Sequence, residues 1–365
     1  MAIKLKNICR FQSGGTPSRA NELYFNGTIP WISTVALNGR TIDSNYAAEW
    51  ITEKAIAESA AKIVPERSVM LGTRVGIGKV AINSEPMATS QDIVSLVEID
   101  ESVWDKAYIC KFLQSKEAYL KSQARGATIK GIKINTVAEL DVPAIPRIEQ
   151  KRIVTLLNAT LDIIENRKNQ LTALDDLVKA RFVEMFGNEK RRMQMSEVCV
   201  IITDGTHQPP AFVSEGIPFI FVSNITGNTV TYKAEKYIDQ RTYDELIKRT
   251  PIEIGDVLLS TVGSYGHPAV VKSDKKFLFQ RHIAYLKPRK ELIDSDYLHG
   301  AILAPDVQRQ IEDSVKGIAQ KTLNLSEIKN MMIPVPNLRE QKEYATFAAQ
   351  IDKSKFADRD DGGKV

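Results

Sequence analysis

Histidine and cysteine side chains, which often carry catalysis and metal binding, are scattered through this sequence. The chain has four histidines, separated by 60, 15 and 17 residues: His207, His267, His282 and His299. Its three cysteines are also far apart: Cys9, Cys110 and Cys199. Zinc sites need such ligands at short, regular spacings, so the sequence predicts no metal site. The odd number of distant cysteines predicts free thiols and a reducing compartment.

Two short motifs resemble catalytic or phosphate-binding elements, and both match poorly. The segment Gly72–Val80 resembles a phosphate-binding loop, but five residues separate Gly72 from Gly78 and Val80 replaces the required Ser or Thr. Asp204 and His207 could form an acid–base pair, but only the Gly205-Thr206 between them recurs in the chain, as Gly15-Thr16. No nucleophile elbow or dinucleotide fingerprint follows a predicted strand. We therefore expect a protein without catalytic activity of its own.

Composition indicates a globular protein of two domains. The chain has 365 residues, of which 43% are hydrophobic and 26% charged. Its 49 Lys and Arg against 45 Asp and Glu give a net charge of +4, which is small for a protein that would bind nucleic acid by charge alone. The N-terminal residues lack the apolar stretch of a signal peptide, and no run of about 20 apolar residues is present. These features predict a cytoplasmic protein that does not enter membranes.

The chain repeats itself at an offset of about 190 residues. Residues 29–32 (Ile-Pro-Trp-Ile) match residues 217–220 (Ile-Pro-Phe-Ile), and residues 126–151 match residues 317–342 without a gap. Six positions are identical in this second block. The repeat therefore predicts two similar modules.

Each module combines short strands with helices, which predicts an α+β fold. Strands are predicted at Ser68–Gly72, Lys79–Ile82, Asp256–Thr261 and Ala269–Lys272. Helices are predicted at Trp104–Gln123 and Asp296–Val315.

A long helix is predicted between the modules. Residues 149–186 contain no Gly or Pro, and apolar residues recur at intervals of seven, as in a coiled coil. Such a helix would be about 57 Å long, which is typical of a spacer rather than of an ordinary core helix. Its predicted coiled-coil interface consists of Leu157, Ile164, Leu171, Leu174, Val178, Phe182 and Met185.

The second module begins a similar helix at Glu340, but its apolar stripe gives way to a polar segment over residues 358–365. We expect this helix to be truncated near Phe356. Unless another chain supplies a helix, four residues of the first helix should then be partly uncovered, which favours self-association or an impaired complex: Leu171, Leu174, Val178 and Phe182.

The repeated elements together resemble the specificity subunit of a type I restriction-modification system. The resemblance is carried by Ile29–Ile32, Val257–Gly263, the Gly317 segment with Gln320-Lys321, and the Pro-rich turn followed by Glu-Gln-Lys-Arg-Ile at 143–153. It implies two tandem α/β target-recognition domains, at residues 1–145 and 188–336. It also implies a coiled-coil spacer helix at 146–187 and a truncated second helix with its polar tail at 337–365.

The resemblance also implies a division of labour. Each recognition domain would recognise one half of a bipartite, asymmetric sequence in double-stranded DNA, and the helices would set the spacing and dock the methyltransferase subunits. This chain would need no cofactor. S-adenosylmethionine would belong to the modification subunits, and ATP and Mg²⁺ to the restriction subunits that translocate and cleave DNA.

Polar residues on Gly-flanked turns are the candidates for DNA binding, because Arg, Lys, Asn, Gln, Ser and Thr side chains recognise base edges and phosphates. In the first module they are Thr16, Ser18, Arg19, Arg74, Lys79, Gln91, Arg125, Thr128, Lys130 and Lys133. In the second they are Thr206, His207, Gln208, Ser264, Tyr265, His267, Gln280, Arg281, Gln320, Lys321 and Asn324. Two alternatives remain open at this stage: a tandem adaptor that binds protein or RNA with the helix as a ruler, and a hydrolase whose site is not recognised.

Overall fold

A computed structural model describes residues 1–126, 130–315, 317 and 321–356. The chain divides into two compact units, Met1–Glu165 and Asn166–Val365. Each unit is a mixture of short strands and helices, as the repeat predicts.

Unit 1 contains strands β1 to β11 and helices α1 to α4 in its described residues. The strands are β1 (Ala2–Lys4), β2 (Arg10–Ser13), β3 (Phe25–Ile32), β4 (Thr41–Ile42), β5 (Glu49–Ile51), β6 (Ile63–Val64), β7 (Val69–Gly72), β8 (Val80–Asn83), β9 (Met87–Thr89), β10 (Ile93–Val97) and β11 (Asp141–Pro143). The helices are α1 (Glu53–Glu58), α2 (Lys106–Ser115), α3 (Glu117–Ser122) and α4 (Ile134–Ala138).

The main sheet of unit 1 has the strand order β2-β10-β7-β8-β4. Strand β10 is buried along its whole length and runs antiparallel to both β2 and β7. A second sheet has the order β5-β3-β9-β6, and β1 pairs with β11. Helix α2 packs its apolar side, including Ile109 and Leu113, against Val69 and Leu71 of the main sheet.

Helix α5 spans Arg147–Phe186, and its last residues belong to unit 2. Unit 2 also contains strands β12 (Arg192–Gln194), β13 (Cys199–Asp204), β14 (Ile217–Ile220), β15 (Lys236–Ile238), β16 (Val257–Ser260), β17 (Pro268–Val270), β18 (Leu278–Phe279), β19 (Ile283–Pro288) and β20 (Met332–Pro334). Its helices are α6 (Met195–Val198), α7 (Gln240–Leu246), α8 (Ser295–Leu303), α9 (Pro305–Ser314), α10 (Leu325–Asn330) and α11 (Leu338–Phe356).

The main sheet of unit 2 has the order β13-β19-β16-β17, which matches β2-β10-β7-β8 of unit 1 strand for strand. Strand β19 pairs antiparallel with β13 and β16. A three-stranded sheet, β15-β14-β18, corresponds to β5-β3-β9, and β12 pairs with β20 as β1 pairs with β11. The described parts of the two units therefore share one topology.

The four predicted strands are present within one or two residues of their expected bounds. The two predicted helices are each broken into two. In unit 1, Lys116 leaves the helical region with φ −95° and ψ 2° between α2 and α3. In unit 2, Ala304 is extended and Pro305 begins α9, because proline cannot donate the hydrogen bond that would continue α8.

Helix α5 has 40 residues, two more than predicted, and at 1.5 Å per residue it is about 60 Å long. Within unit 2 its last turns pack antiparallel against α11. Asp175 of α5 is 2.6 Å from Nζ of Lys355 near the end of α11, whereas the ring of Phe182 lies 5.2 Å from Tyr344 near its beginning. Helix α11 has 19 residues, about half the length of α5.

The prediction that four residues of α5 are partly uncovered is wrong for Phe182. Its side chain is 2% exposed and belongs to the core of unit 2 with Phe186, Tyr297 and Tyr344. Leu171, Leu174 and Val178 are half-buried. Because the pairing is antiparallel, the first turns of α11 cover the last turns of α5, and Phe182 lies where that cover is complete.

The other predicted coiled-coil residues are unequally covered. Met185 is half-buried against the core of unit 2, whereas Leu157 and Ile164 are exposed. The most exposed apolar side chains of α5 are Ile148 (72%), Leu156 (68%) and Ile163 (68%). Residues 148–164 therefore carry an apolar surface, called here the α5 surface.

Candidate nucleic-acid interface

Three loops of unit 1 meet at one edge of its main sheet. They are the loop after β2, the loop before β10 and the loop after β7, which lie together because β10 runs antiparallel to both neighbours. Main-chain hydrogen bonds join them. The amide of Gly14 donates to the carbonyl of Ile93 over 3.0 Å, and the amide of Thr73 donates to the carbonyl of Asp92 over 2.8 Å.

A fourth segment joins the same edge. The amide of Ile132 donates to the carbonyl of Thr73 over 2.8 Å, which places the segment before α4 beside the loop after β7. Most of the candidate residues of the first module lie on these four segments, although they are as much as 117 residues apart in the chain, from Thr16 to Lys133.

Three of the candidate DNA-binding residues of unit 1, all positively charged, line one surface cavity. Arg74, Arg125 and Lys133 surround a volume of about 540 Å³, together with Gln123, Gly131, Ile132 and Thr136. All three cationic side chains are exposed, and none of the described residues that line the cavity carries a carboxylate. This cationic groove can bind anions such as DNA phosphates, and its arginines can also donate two hydrogen bonds to a guanine edge.

Unit 2 builds the same edge with different side chains. The amide of Gly205 donates to the carbonyl of Ile283 over 3.1 Å, and the amide of Thr261 donates to the carbonyl of His282 over 3.0 Å. The amide of Leu323 donates to the carbonyl of Thr261 over 2.8 Å, as Ile132 does to Thr73 in unit 1. These bonds bring the segments of Thr206, Gln280, Ser264 and Lys321 together.

These bonds correct one detail of the sequence repeat. The sequence alone aligns Gly15-Thr16 with Gly205-Thr206. In the structure Gly14 and Gly205 are equivalent, because each donates to the first residue of the central strand and neither has room for a Cβ, which would lie within 2.3 Å of a carbonyl oxygen. His207 therefore corresponds to Thr16, and one extra residue precedes this turn in the second unit.

Asp204, at the end of β13, contacts the side chains of both His207 and Arg249. Its Oδ2 lies 2.8 Å from Nε2 of His207, and its Oδ1 accepts a hydrogen bond of 2.6 Å from Arg249. Asp204 is 17% exposed, whereas the His207 and Arg249 side chains are 52% and 51% exposed. Arg249 is not among the candidates from the sequence, because a basic residue at the end of a short helix has no spacing that distinguishes it.

Every predicted DNA-binding residue that the structure describes is exposed or half-buried. Thr128 and Gln320 lie outside the described residues. Besides His207, several candidates have partners within their own unit. Arg19 is ion-paired with Glu49 at 2.7 Å, Tyr265 packs partly on the core, and Nδ1 of His267 lies 3.4 Å from Oδ1 of Asn228.

Burial lowers the pKa of His267, and burial with the nearby Arg281 lowers the pKa of His282. The neutral imidazole is therefore favoured at both positions. These two histidines can exchange hydrogen bonds with bases, but they add little positive charge to the edge of unit 2 at neutral pH.

Within the described residues, no group of three or more His, Cys, Asp or Glu side chains is arranged to bind a metal ion. In the same part of the chain, no helix combines the length and apolarity needed to span a membrane.

Comparison with known proteins identifies the family. The chain belongs to the family of type I restriction modification DNA specificity domains, which matches residues 1–173 and again residues 193–357. Each unit therefore carries one copy of the same domain. Members of this family are specificity subunits, which are non-catalytic components of restriction-modification systems. The adaptor alternative is not favoured.

Individual relatives agree with this assignment. The type I restriction enzyme MjaIX specificity subunit of Methanocaldococcus jannaschii is 26% identical, over 91% of this chain and 82% of the relative. The MjaVIII specificity subunit of the same organism is 23% identical, over 96% of this chain and 85% of the relative. The type I restriction enzyme EcoBI specificity subunit of Escherichia coli is 23% identical, over 73% of this chain and 63% of the relative.

Two solved structures share the fold. The S subunit of a type I restriction-modification system from M. genitalium matches with a TM-score of 0.57 and 13% identity, covering 99% of this chain and 91% of that one. A chain from a study of complex assembly and conformational transition of the type I system matches with a TM-score of 0.58 and 19% identity, covering 98% and 91%. The tandem arrangement of two mixed domains with a long helix is thus the fold of S subunits.

Proposed function

We propose that this protein is the DNA sequence-recognition subunit of a type I restriction-modification complex. Each unit recognises one half of a bipartite, asymmetric target in double-stranded DNA through the loop edge of its main sheet. The observation that carries this proposal is the convergence of the candidate residues on one edge in each unit, held by equivalent main-chain hydrogen bonds.

The side chains at the two edges suit different parts of the task. The cationic groove of unit 1 favours phosphate binding and recognition of guanine. The edge of unit 2 presents His207, Arg249, Gln280 and Arg281, which can donate and accept hydrogen bonds at base edges. Different side chains on one frame allow the two half-sites to differ, which supports an asymmetric target.

Chemistry would reside in the partner subunits. Modification subunits bind S-adenosylmethionine and methylate the DNA, and restriction subunits use ATP and Mg²⁺ to translocate and cleave it. Helix α5 would set the distance between the half-sites and dock the modification subunits. The complex would act in the cytoplasm, which is consistent with the three free cysteines.

The α5 surface would be covered by another chain. Exposed Leu156 and Ile163 form an apolar strip that is costly to leave in water. In the absence of modification subunits, a second copy of this chain would occupy the strip, and the protein would self-associate.

The direct test is to co-express this chain with modification subunits from its host and to sequence the methylated DNA. A methylated motif made of two short specified halves, separated by a fixed unspecified spacer, is the expected result. Purified complex should also protect a duplex carrying that motif from nuclease. Methylation without a bipartite motif, or equal protection of unrelated DNA, would contradict the proposal.

A further inference from the structure

Two valines are exposed at the loop edge of the unit 1 main sheet, where the candidate DNA-binding residues lie; this edge is called here the recognition edge, in unit 2 as well. Val75 lies in the loop between β7 and β8 and is 58% exposed, and Val35 lies in the turn after β3 and is 83% exposed. Neither was among the candidate residues, because apolar side chains carry no hydrogen-bonding groups. Their exposure is notable because β-branched apolar residues are usually buried.

The two valines flank one contact between their segments. Gly76 adopts a left-handed conformation with φ +70°, and a Cβ at that position would lie 3.3 Å from Cβ of Thr34. The loop after β7 is therefore held close to the turn after β3. Val75 directly precedes Gly76 and Val35 directly follows Thr34, so the two exposed valines lie on adjoining segments in one area of the protein surface.

Positive charge adjoins this area. Arg74, the neighbour of Val75, lines the cationic groove with Arg125 and Lys133, and it forms a β-bridge with Gly76. Exposed valine side chains beside three cationic side chains suit a partner that has both anionic groups and an exposed apolar group. In the major groove of duplex DNA the C5-methyl group of thymine is that apolar group.

We propose that Val35 and Val75 contact thymine methyl groups in the half-site recognised by unit 1. This inference rests on the proposed DNA-recognition function and adds one base identity to it. Arg74 and its neighbours hold the phosphates and guanine edges, and the valines distinguish thymine from bases without a C5-methyl group.

Unit 2 carries different residues at the corresponding positions. With the offset of 188 residues that relates these segments, Val35 corresponds to Ser223 and Val75 to Gly263, and neither of these residues is buried. The pair of apolar side chains is therefore a property of unit 1, and unit 2 supplies an internal control.

The test uses the full chain in complex with its modification subunits. The DNA is a fluorescent duplex that carries the target sequence identified by methylation. Each thymine of the target is replaced in turn by deoxyuridine, which removes the methyl group and leaves the hydrogen-bonding edge unchanged. We expect at least one replacement to weaken binding about fourfold, the effect of one buried methyl group. Val75→Ala or Val35→Ala should abolish that difference, whereas the matched change Ser223→Ala in unit 2 should preserve it.

The outcomes separate this inference from the proposed function. If the wild-type complex shows no sequence-specific binding, both the proposed function and the thymine contact are contradicted. Specific binding with no deoxyuridine effect, or with an effect that survives both valine substitutions, would overturn the thymine contact alone. Circular dichroism and thermal unfolding of each variant will show whether the fold is intact. If a valine-to-alanine variant is unstable, Val75→Thr retains the shape and replaces one methyl group by a hydroxyl.

Discussion

Gln150 and Gln341 make the same three hydrogen bonds at corresponding positions of the repeat. Each lies in the first turns of a helix, α5 or α11, and each is almost completely buried, with 1% and 0% exposure. Oε1 of Gln150 accepts a hydrogen bond of 2.8 Å from the amide of Asp105, and its Nε2 donates to the carbonyls of Val103 and Ile145.

Gln341 repeats this arrangement. Its Oε1 accepts a hydrogen bond of 2.8 Å from the amide of Asp294, and its Nε2 donates to the carbonyls of Leu292 and Pro336. The Glu-Gln-Lys triplet that helped to reveal the repeat therefore has a structural reason. The glutamine joins the start of one helix to the N-cap aspartate of another.

The first prediction concerns this glutamine. Gln341→Met keeps the volume of the side chain but leaves buried main-chain groups of Asp294, Leu292 and Pro336 without partners. We expect a loss of about 2–4 kcal/mol in the stability of unit 2, because unsatisfied buried polar groups are costly. Thermal and urea unfolding will measure it, with the exposed neighbour Lys342→Met as control. Equal stability of the two variants would contradict the role of Gln341.

The second prediction concerns the cationic groove. The plot of log affinity against log salt concentration has a negative slope. Removing Arg74, Arg125 or Lys133 should reduce the magnitude of this slope by about one for each phosphate that is no longer neutralised. The measurement is DNA binding by the assembled complex between about 50 and 200 mM salt, a range in which phosphate neutralisation changes affinity strongly. Lys54→Ala removes an exposed charge of unit 1 that does not line the groove. A slope reduced as much by this control would exclude a specific role for the groove.

The third prediction concerns Asp204. Asp204→Asn keeps the shape but weakens the ion pair with Arg249 and the contact with His207, which together orient these two side chains. Because a negative charge near DNA is also removed, non-specific binding should strengthen slightly while the ratio of specific to non-specific affinity falls by about tenfold. Competition binding with and without the target will measure this ratio. The exposed Asp244→Asn is the control, and an unchanged ratio in Asp204→Asn would show that Asp204 does not position recognition residues.

The fourth prediction concerns the thiols. Burial raises the pKa of Cys110 and Cys199 from 9.0 to about 12, so both remain protonated at about pH 8. Iodoacetamide should modify them slowly in the folded protein and rapidly in urea, as mass spectrometry can follow. Equally rapid modification in both states would be inconsistent with the burial.

These thiols also affect stability at high pH. The folded state holds the thiol proton more strongly than the unfolded chain, so the contribution is complete below pH 9 and is lost as the pH rises toward 12. Unfolding in urea at about pH 8 and about pH 10 will test the sign. Replacing both cysteines by alanine should reduce the difference between the two pH values.

The fifth prediction concerns the α5 surface. Replacing Leu156 and Ile163 by lysine places charge on exposed apolar positions, where little packing is disturbed. The double variant should be monomeric with an unchanged melting temperature, whereas the unmodified chain self-associates at micromolar concentration. Light scattering will measure the mass of each. A strictly monomeric unmodified chain would contradict the proposed self-association.

The sequence predicted the architecture well because the duplication is itself a structural signal. The Gln150 and Gln341 blocks matched without a gap, and the sheet orders of the two units correspond strand for strand. The absence of Gly and Pro over 149–186 was enough to predict α5. Local breaks were harder to predict, since the residue type of Lys116 gives no sign of the break between α2 and α3.

The recognition edge was predictable only in part. Gly-flanked turns identified the loops that meet there, but their proximity depends on long-range strand pairing. Arg249 was missed because its role depends on Asp204, which lies 45 residues away in the chain. Val35 and Val75 were missed because exposure of an apolar residue cannot be read from its type.

The loops of each recognition edge are joined through their main chains, so the edge keeps its form when its side chains change. Arg74 in one unit and Val262 in the other occupy equivalent positions beside the same amide-to-carbonyl bond, that of Thr73 or Thr261. A lineage carrying this fold can therefore acquire a new DNA target through a few substitutions without a matching cost in stability. The host genome would then be marked with a different pattern while the assembly that applies the mark stays the same.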